Sequence, residues 1–214
     1  MKSRRFSPHH HGWIESVLDK QHIDFLWERN GKGSEEDTKG NLAGNISKSY
    51  KIEDDEDRYF FNEILFPHVE MYREMLSATS GGDPIPVPVN ADMELYLHDL
   101  WVNYQYQTEF NPYHFHGGMY SFVIWLKIPT DWREQHQLPF LDGIRDGDKK
   151  ASNFEFQYLD MLGNIKNYGY RLDPDMEGHM LFFPAKLMHT VYPFYNCDEA
   201  RISVAGNLWY RGIK

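Results

Sequence analysis

A single cysteine, Cys197, stands in a chain of 214 residues, so no intramolecular disulfide can form and a cysteine-rich zinc module is excluded. No apolar run reaches the roughly 20 residues that a membrane-crossing helix needs. The N-terminal stretch 1-MKSRRFSPHHHGWIESVL-18 carries charge but lacks the apolar centre of a secretory signal. Cations are also short, with 22 Lys and Arg against 32 Asp and Glu and a net charge of −10. That balance argues against a general affinity for nucleic acid, which rests on cationic contacts to phosphates. It leaves room for a small anion held by one or two buried arginines. There is no glycine-rich phosphate loop, no serine or cysteine nucleophile elbow and no interleaved basic and aromatic face. The expectation is a soluble, intracellular (cytoplasmic) protein with no membrane or nucleic-acid partner, and no pattern fixes an oligomeric state.

Aromatic residues are plentiful at 16 %, and apolar residues reach 41 %, enough to build a core and to exclude wholesale disorder. Trp13, Val17, Leu18, Ile23, Leu26 and Trp27 fall near helical spacing and predict a helix over 13–30, ended by Gly31. A polar, glycine-rich loop is expected over 31–49. A second helix is expected over 55–78, with Phe60, Phe61, Ile64, Leu65, Val69 and Met71 on its buried side and Pro67 as a kink or break. Turn residues in 79-TSGGDPIPVPVN-90 end the helical part. The triplet His9–His11 reads as a flexible polar terminus.

From about residue 93 the pattern changes to short aromatic and branched runs separated by turns. The runs are 94–107, 119–127, 153–160, 167–172, 179–184, 189–194 and 200–210. Strands at that spacing point to a sandwich or barrel, and a jelly roll (double-stranded β-helix, cupin-like) is the natural candidate, since its paired sheets leave an open mouth for a ligand. The expected layout is an N-terminal helical extension over 1–92, packed on a jelly-roll core over 93–214, in one structural domain.

The stretch 111-NPYHFHGGMYSFVIWLKIP-129 places two histidines at i and i+2, and such side chains share one face of a strand. His114 and His116 could therefore reach one metal ion, with His189 from 183-FPAKLMHTVYP-193 as a third ligand. Imidazole suits iron, zinc, copper and nickel. In 201-RISVAGN-207, Arg201, Ser203, Ala205 and Asn207 alternate with Ile202 and Val204. An arginine turned into a barrel needs an anionic partner, and no carboxylate lies nearby at matching alternation. A ligand carboxylate is an attractive partner, held by two guanidinium hydrogen bonds with a further one from Ser203. His98 and His179 read as structural histidines, His136 as part of a lid or a solvated loop, Trp125 as core, and 142–150 as an exposed turn.

The ordered set of HxH, the apolar run 121-SFVIWLKIP-129, 182-FFPAKLMH-189 and 201-RIS-203 resembles the Fe(II)/2-oxoglutarate-dependent oxygenases over roughly residues 95–210. Within that family it is most similar to small bacterial and phage members with prolyl-hydroxylase-like motifs. The resemblance implies a jelly-roll dioxygenase of hydroxylase type that uses Fe(II) and 2-oxoglutarate, with ascorbate as an accessory reductant. It implies His114 and His189 as iron ligands, and Arg201 with Ser203 on the far carboxylate of 2-oxoglutarate. Tyr104 and Tyr106 are candidates for cosubstrate or substrate contact, or for the sandwich core. The substrate would be a peptide, a protein side chain or a small molecule.

One position departs from the family, whose motif is HxD or HxE; here His116 stands where the carboxylate belongs. Three readings stay open. His116 ligates in its place; Glu109 or Asp142 completes the shell; or the site is degenerate. A cupin-like metal enzyme that does not use 2-oxoglutarate is an alternative, although the usual cupin glutamate is absent from 117-GGMYSF-122. A non-catalytic jelly-roll binding protein is another.

Overall fold

The computed structural model describes residues 12–32, 44–80 and 93–212. The triplet His9–His11, most of the expected glycine-rich loop and most of the turn-rich segment before residue 93 lie outside them. Two antiparallel sheets face each other. The larger has six strands in the order β1 (Ile14–Val17), β8 (His179–Pro184), β5 (Tyr120–Lys127), β10 (Arg201–Gly212), β3 (Met93–Gln105) and β2 (Lys48–Lys51). The smaller orders β4 (Asn111–His114), β9 (Met188–Val191), β6 (Asn153–Leu159) and β7 (Ile165–Arg171). Strands close in sequence are thus shared between the sheets, the pattern of a jelly roll, as the strand spacing led one to expect.

The N-terminal part differs from expectation. Residues 14–17 form an edge strand paired with β8, Ile14 opposite Phe182 and Val17 opposite His179, and helix α1 spans only Lys20–Gly31. Ile14 and Ser16 turn inward while Glu15 and Val17 are exposed, an alternation of period two that the helical spacing of Trp13, Val17 and Leu18 concealed. The open edge of β8 supplies backbone partners that an isolated helix cannot match. Residues 48–51 likewise join the other edge as β2. Among the described residues the first part of the chain therefore holds two edge strands and two helices, not a helical extension alone.

Helix α2 (Phe66–Ser80) is entered through a π-type turn at Phe61–Leu65, with Phe66 N donating to Phe61 O. Pro67 follows directly on this wider turn, where the helix already opens, so the expected break is a π-bulge. The Asp54 carboxylate caps the entry by accepting from Phe60 N at 2.9 Å and Phe61 N at 2.8 Å. Phe60, Phe61, Ile64, Leu65 and Val69 are buried as expected, but Met71 is 42 % exposed and Tyr72 takes the buried place.

These helices cover the outer face of the large sheet. There Val102, Phe122, Ile124, Met180, Phe182, Val204 and Leu208 pack against Leu26, Phe60, Ile64, Leu65 and Val69. A second core lies around the small sheet, where Trp125, Phe154, Phe156, Leu181 and Phe183 meet. Among the described residues no helix is long and apolar enough to cross a membrane.

Candidate active site

β4 ends at His114, which pairs in register with His189 of β9. His116 lies two residues on, in the loop that carries the chain from the small sheet to β5 of the large one. The two histidines of the HxH are therefore not on one strand face as their spacing suggested. Strand pairing brings the first to His189, and the crossover loop brings the second. That loop turns at Gly118, φ 82°, where a Cβ would lie 2.6 Å from the carbonyl oxygen of Leu208; only glycine fits both demands. The loop is tied down by His116 N donating to Ala185 O at 2.8 Å and Lys186 Nζ donating to His116 O at 3.0 Å.

The candidate ligand nitrogens of His114, His116 and His189 all lie within 4.8 Å of one another. His114 Nδ1 sits 2.7 Å from Pro112 O, and His189 Nδ1 sits 2.9 Å from Leu187 O. Each carbonyl accepts from the Nδ1–H, which leaves the Nε2 lone pair of both rings available. His116 Nε2 stands 3.1 Å from His189 Nε2. His189 is 4 % exposed and is walled by the rings of Phe154, Phe156 and Phe183. Burial, with the neighbouring imidazoles, holds His189 well below the usual histidine range. Burial pushes His116 down to about 4, helped by His114 and Lys186, and lowers His114 as well. All three are neutral donors near pH 7, the form a divalent ion requires. Three imidazoles whose candidate ligand nitrogens lie within 4.8 Å of one another fit a first-row ion.

The histidines line a cavity of about 550 Å³ between the sheets. Its opposite wall is the inner face of the large sheet. β10 contributes Ser203, Ala205 and Asn207, and β3 contributes Asp99, Trp101, Asn103 and Gln105, paired rung by rung as Ser203–Asn103, Ala205–Trp101 and Asn207–Asp99. Trp101 lies 5.8 Å from the His116 ring, so the histidines stand over the middle of this wall. Arg201 lies one rung below Ser203, opposite Gln105; it does not itself line the cavity, as its neighbours Gln105 and Ser203 do, and is 2 % exposed. Its Nη1 donates to Gln105 Oε1 at 3.2 Å, and its Nη2 donates to Ser152 O at 3.1 Å and to Ser152 Oγ. The Phe194 ring lies 5.1 Å from it, and Nε has no partner among the described residues. No described carboxylate pairs with it within 4.0 Å. Burial alone lowers its pKa to about 9, so the guanidinium stays charged at neutral pH.

Tyr104 and Tyr106 need correction as candidate contacts. Tyr104 is one residue out of phase with Asn103 and Gln105 and so points to the outer face, where its hydroxyl exchanges hydrogen bonds with Asn30 of α1. Tyr106 follows the end of β3 and is absent from the cavity lining, its backbone N–H given to Glu109 Oε2. Glu109 itself is buried, bracing Ser47 N and Tyr106 N, and Asp142 is exposed on a loop; neither joins the histidines. Of the structural histidines, His136 is buried against Ala151 O, not solvated on a lid, and His98 is exposed beside Trp209. Trp125 is core, 2 % exposed, and most of 142–150 is exposed as expected. Asn103, Gln105 and Trp101 were missed, although 99-DLWVNYQ-105 alternates in the same way as 201-RISVAGN-207 and carried the signal. No sequence signal marks Ser152.

Residues 99–207, just over half of the chain and inclusive of all three histidines and Arg201, match a protein-family model described as "Putative 2OG-Fe(II) oxygenase". No curated protein matches the chain. Among solved structures, it is similar to an oxidoreductase of the 2OG-Fe(II) oxygenase family from Burkholderia pseudomallei, at 11 % identity over 92 % of this chain and 84 % of that one, with a TM-score of 0.54. It is also similar to a Pseudomonas putida prolyl-4-hydroxylase, at 12 % identity over 95 % and 94 % of the two chains, TM-score 0.47. A collagen prolyl hydroxylase of Paramecium bursaria Chlorella virus-1, solved with 2-oxoglutarate, matches at 14 % identity over 94 % and 96 %, TM-score 0.46. The Burkholderia likeness is one of fold. On the family match, the chain belongs to the Fe(II)- and 2-oxoglutarate-dependent oxygenases.

Proposed function

We propose that His114, His116 and His189 together hold the Fe(II), that Arg201 with Ser203 anchors the distal carboxylate of 2-oxoglutarate, and that the enzyme hydroxylates a C–H bond of a peptide, protein or small-molecule substrate. Bound Fe(II), with the keto acid and O₂, supplies the oxidising chemistry that turns 2-oxoglutarate into succinate and oxidises the substrate. The chain's part is to bind, orient and exclude water. The backbone carbonyls of Pro112 and Leu187 fix the rings of His114 and His189 so that Nε2 faces the ion. The three phenylalanines keep water from His189 and hold it neutral. His116 takes the place of the family's carboxylate, so the ligand set carries one negative charge fewer than usual. The substrate would enter over the open end, where Lys51, Asp99, Asn111 and Phe115 line the cavity.

The observation that carries this reading is the buried Arg201, a guanidinium surrounded by neutral acceptors and lacking any described carboxylate. A buried cation so placed calls for an anion from outside the chain. It also separates this reading from a cupin-like enzyme that ignores 2-oxoglutarate, for which Arg201 would have no task. Anaerobic addition of Fe(II) and 2-oxoglutarate should produce a weak visible charge-transfer band. Admission of O₂ should then yield succinate slowly, even without substrate. Stoichiometric iron with neither band nor succinate would overturn the proposal.

A further inference from the structure

Four described non-glycine residues have positive φ: Arg58, Thr108, Ser152 and Asn196. Thr108 and Asn196 are exposed and Arg58 is half-buried, whereas Ser152 is 0 % exposed with φ 67°. Left-handed backbone is disfavoured for an L-residue with a side chain, and a buried instance persists only where its surroundings enforce it. Here the surroundings are specific. Ser152 N donates to Pro193 O at 2.8 Å, its Oγ lies 3.2 Å from Thr130 Oγ1, and the same residue turns both its carbonyl oxygen and its hydroxyl to one nitrogen, Arg201 Nη2. Gln105 holds the other nitrogen from the side. Its Nε2 is committed to Glu109 O at 2.7 Å and Tyr192 O at 3.2 Å, so its Oε1 has one direction left, toward Nη1.

Every acceptor in this cradle is neutral. The guanidinium is fixed in orientation while its charge is left uncompensated, and Gln105 and Ser203 beside it line the cavity. We propose that Ser152 is a positioning residue for 2-oxoglutarate: its strained backbone and hydroxyl clamp Arg201 with neutral dipoles alone, so that the only anion offered to the arginine is the distal carboxylate of the cosubstrate. This rests on the reading of Arg201 as the carboxylate anchor. It makes the neutrality of position 152 a condition of affinity, since a carboxylate there would satisfy the arginine from within and shut the cosubstrate out.

The test is calorimetric titration of 2-oxoglutarate into the Mn(II)-loaded full chain, with thermal unfolding of each variant alongside. Ser152→Gly removes the hydroxyl but keeps the carbonyl and suits the positive φ. It should weaken 2-oxoglutarate binding about 10-fold, the loss expected for one hydrogen bond to a charged group, and raise KM for 2-oxoglutarate with little change in kcat. Ser152→Asp, whose side chain tolerates the left-handed region, should abolish 2-oxoglutarate binding while raising the melting temperature. Ser152→Asn, with a neutral oxygen, should bind better than Ser152→Asp. Absence of binding by the wild type would overturn the reading of Arg201 itself. Binding that is lost in Arg201→Ala but unchanged in Ser152→Gly and no weaker in Ser152→Asp than in Ser152→Asn would overturn this inference alone. So would a change in melting temperature with no change in affinity. Should Ser152→Asp not fold, Ser152→Gly against wild type decides alone.

Discussion

The two faces of the large sheet are built from the same strands and do opposite work. Along β10, Ile202, Val204 and Leu208 pack into the apolar layer beneath the helices. Ser203 and Asn207 line the cavity and Arg201 lies buried in phase with them one rung below, and β3 repeats the division, with Leu100 and Val102 against Trp101, Asn103 and Gln105. The outer face is held by burial of apolar area, which has no direction and tolerates substitutions of similar volume. The inner face is held by hydrogen bonds whose partners are single atoms, so a change of one atom there alters binding more than folding. Stability and chemistry are thus separated by one residue of register.

Mutations on each face should separate the two quantities. The largest effect is expected on the outer face: Phe182→Ala, at a fully buried ring, should cost about 3–5 kcal/mol of stability in denaturant titrations while the remaining folded protein binds metal as before. Acidification comes next. His116 is held at about 4 against an ordinary 6.5, so the unfolded chain takes up a proton between those values and the folded one does not. The contribution of the neutral ring is therefore complete above about pH 6.5 and lost as the pH falls toward 4, worth about 3 kcal/mol of apo-protein stability. Denaturant midpoints measured across that window check this, and His116→Gln should reduce the slope but not abolish it, since burial lowers His114 and His189 in the same direction. On the inner face, Arg201→Ala should weaken 2-oxoglutarate binding by about 100-fold, the loss of a bidentate charged pair, read by calorimetry on Mn(II)-loaded protein. The smallest effect sharpens the comparison: Tyr104→Phe, on the outer face beside Asn30, should lower stability by about 1 kcal/mol and leave 2-oxoglutarate affinity within twofold. A large loss of affinity there would break the division between faces.

The choice of Tyr104 and Tyr106 over Asn103 and Gln105 shows where reading the sequence failed. Their aromatic character drew attention, but in a strand the position decides, and 99-DLWVNYQ-105 places its polar residues in phase with Arg201 and Ser203. The same weakness hid β1: Trp13, Val17 and Leu18 fit a helix by spacing, and only the open edge of β8 selects the strand. The HxH pointed to three histidines that do lie together, but for an incomplete reason. Alternation on one strand does not bring them together; the β4–β9 pairing and the glycine turn at 118 do.

By itself the sequence determined the jelly roll, through recurrent short strands with alternating faces, and singled out the histidines and the arginine proposed to hold an ion and a diacid, because period and residue chemistry are local properties of the chain. The tertiary structure alone decided that His116 meets His189 across a crossover between sheets, that no described acid reaches Arg201, and that Ser152 is bent into the left-handed region to hold it. Those facts depend on which distant backbones share a rung and what water they exclude, and no local pattern of residues encodes that.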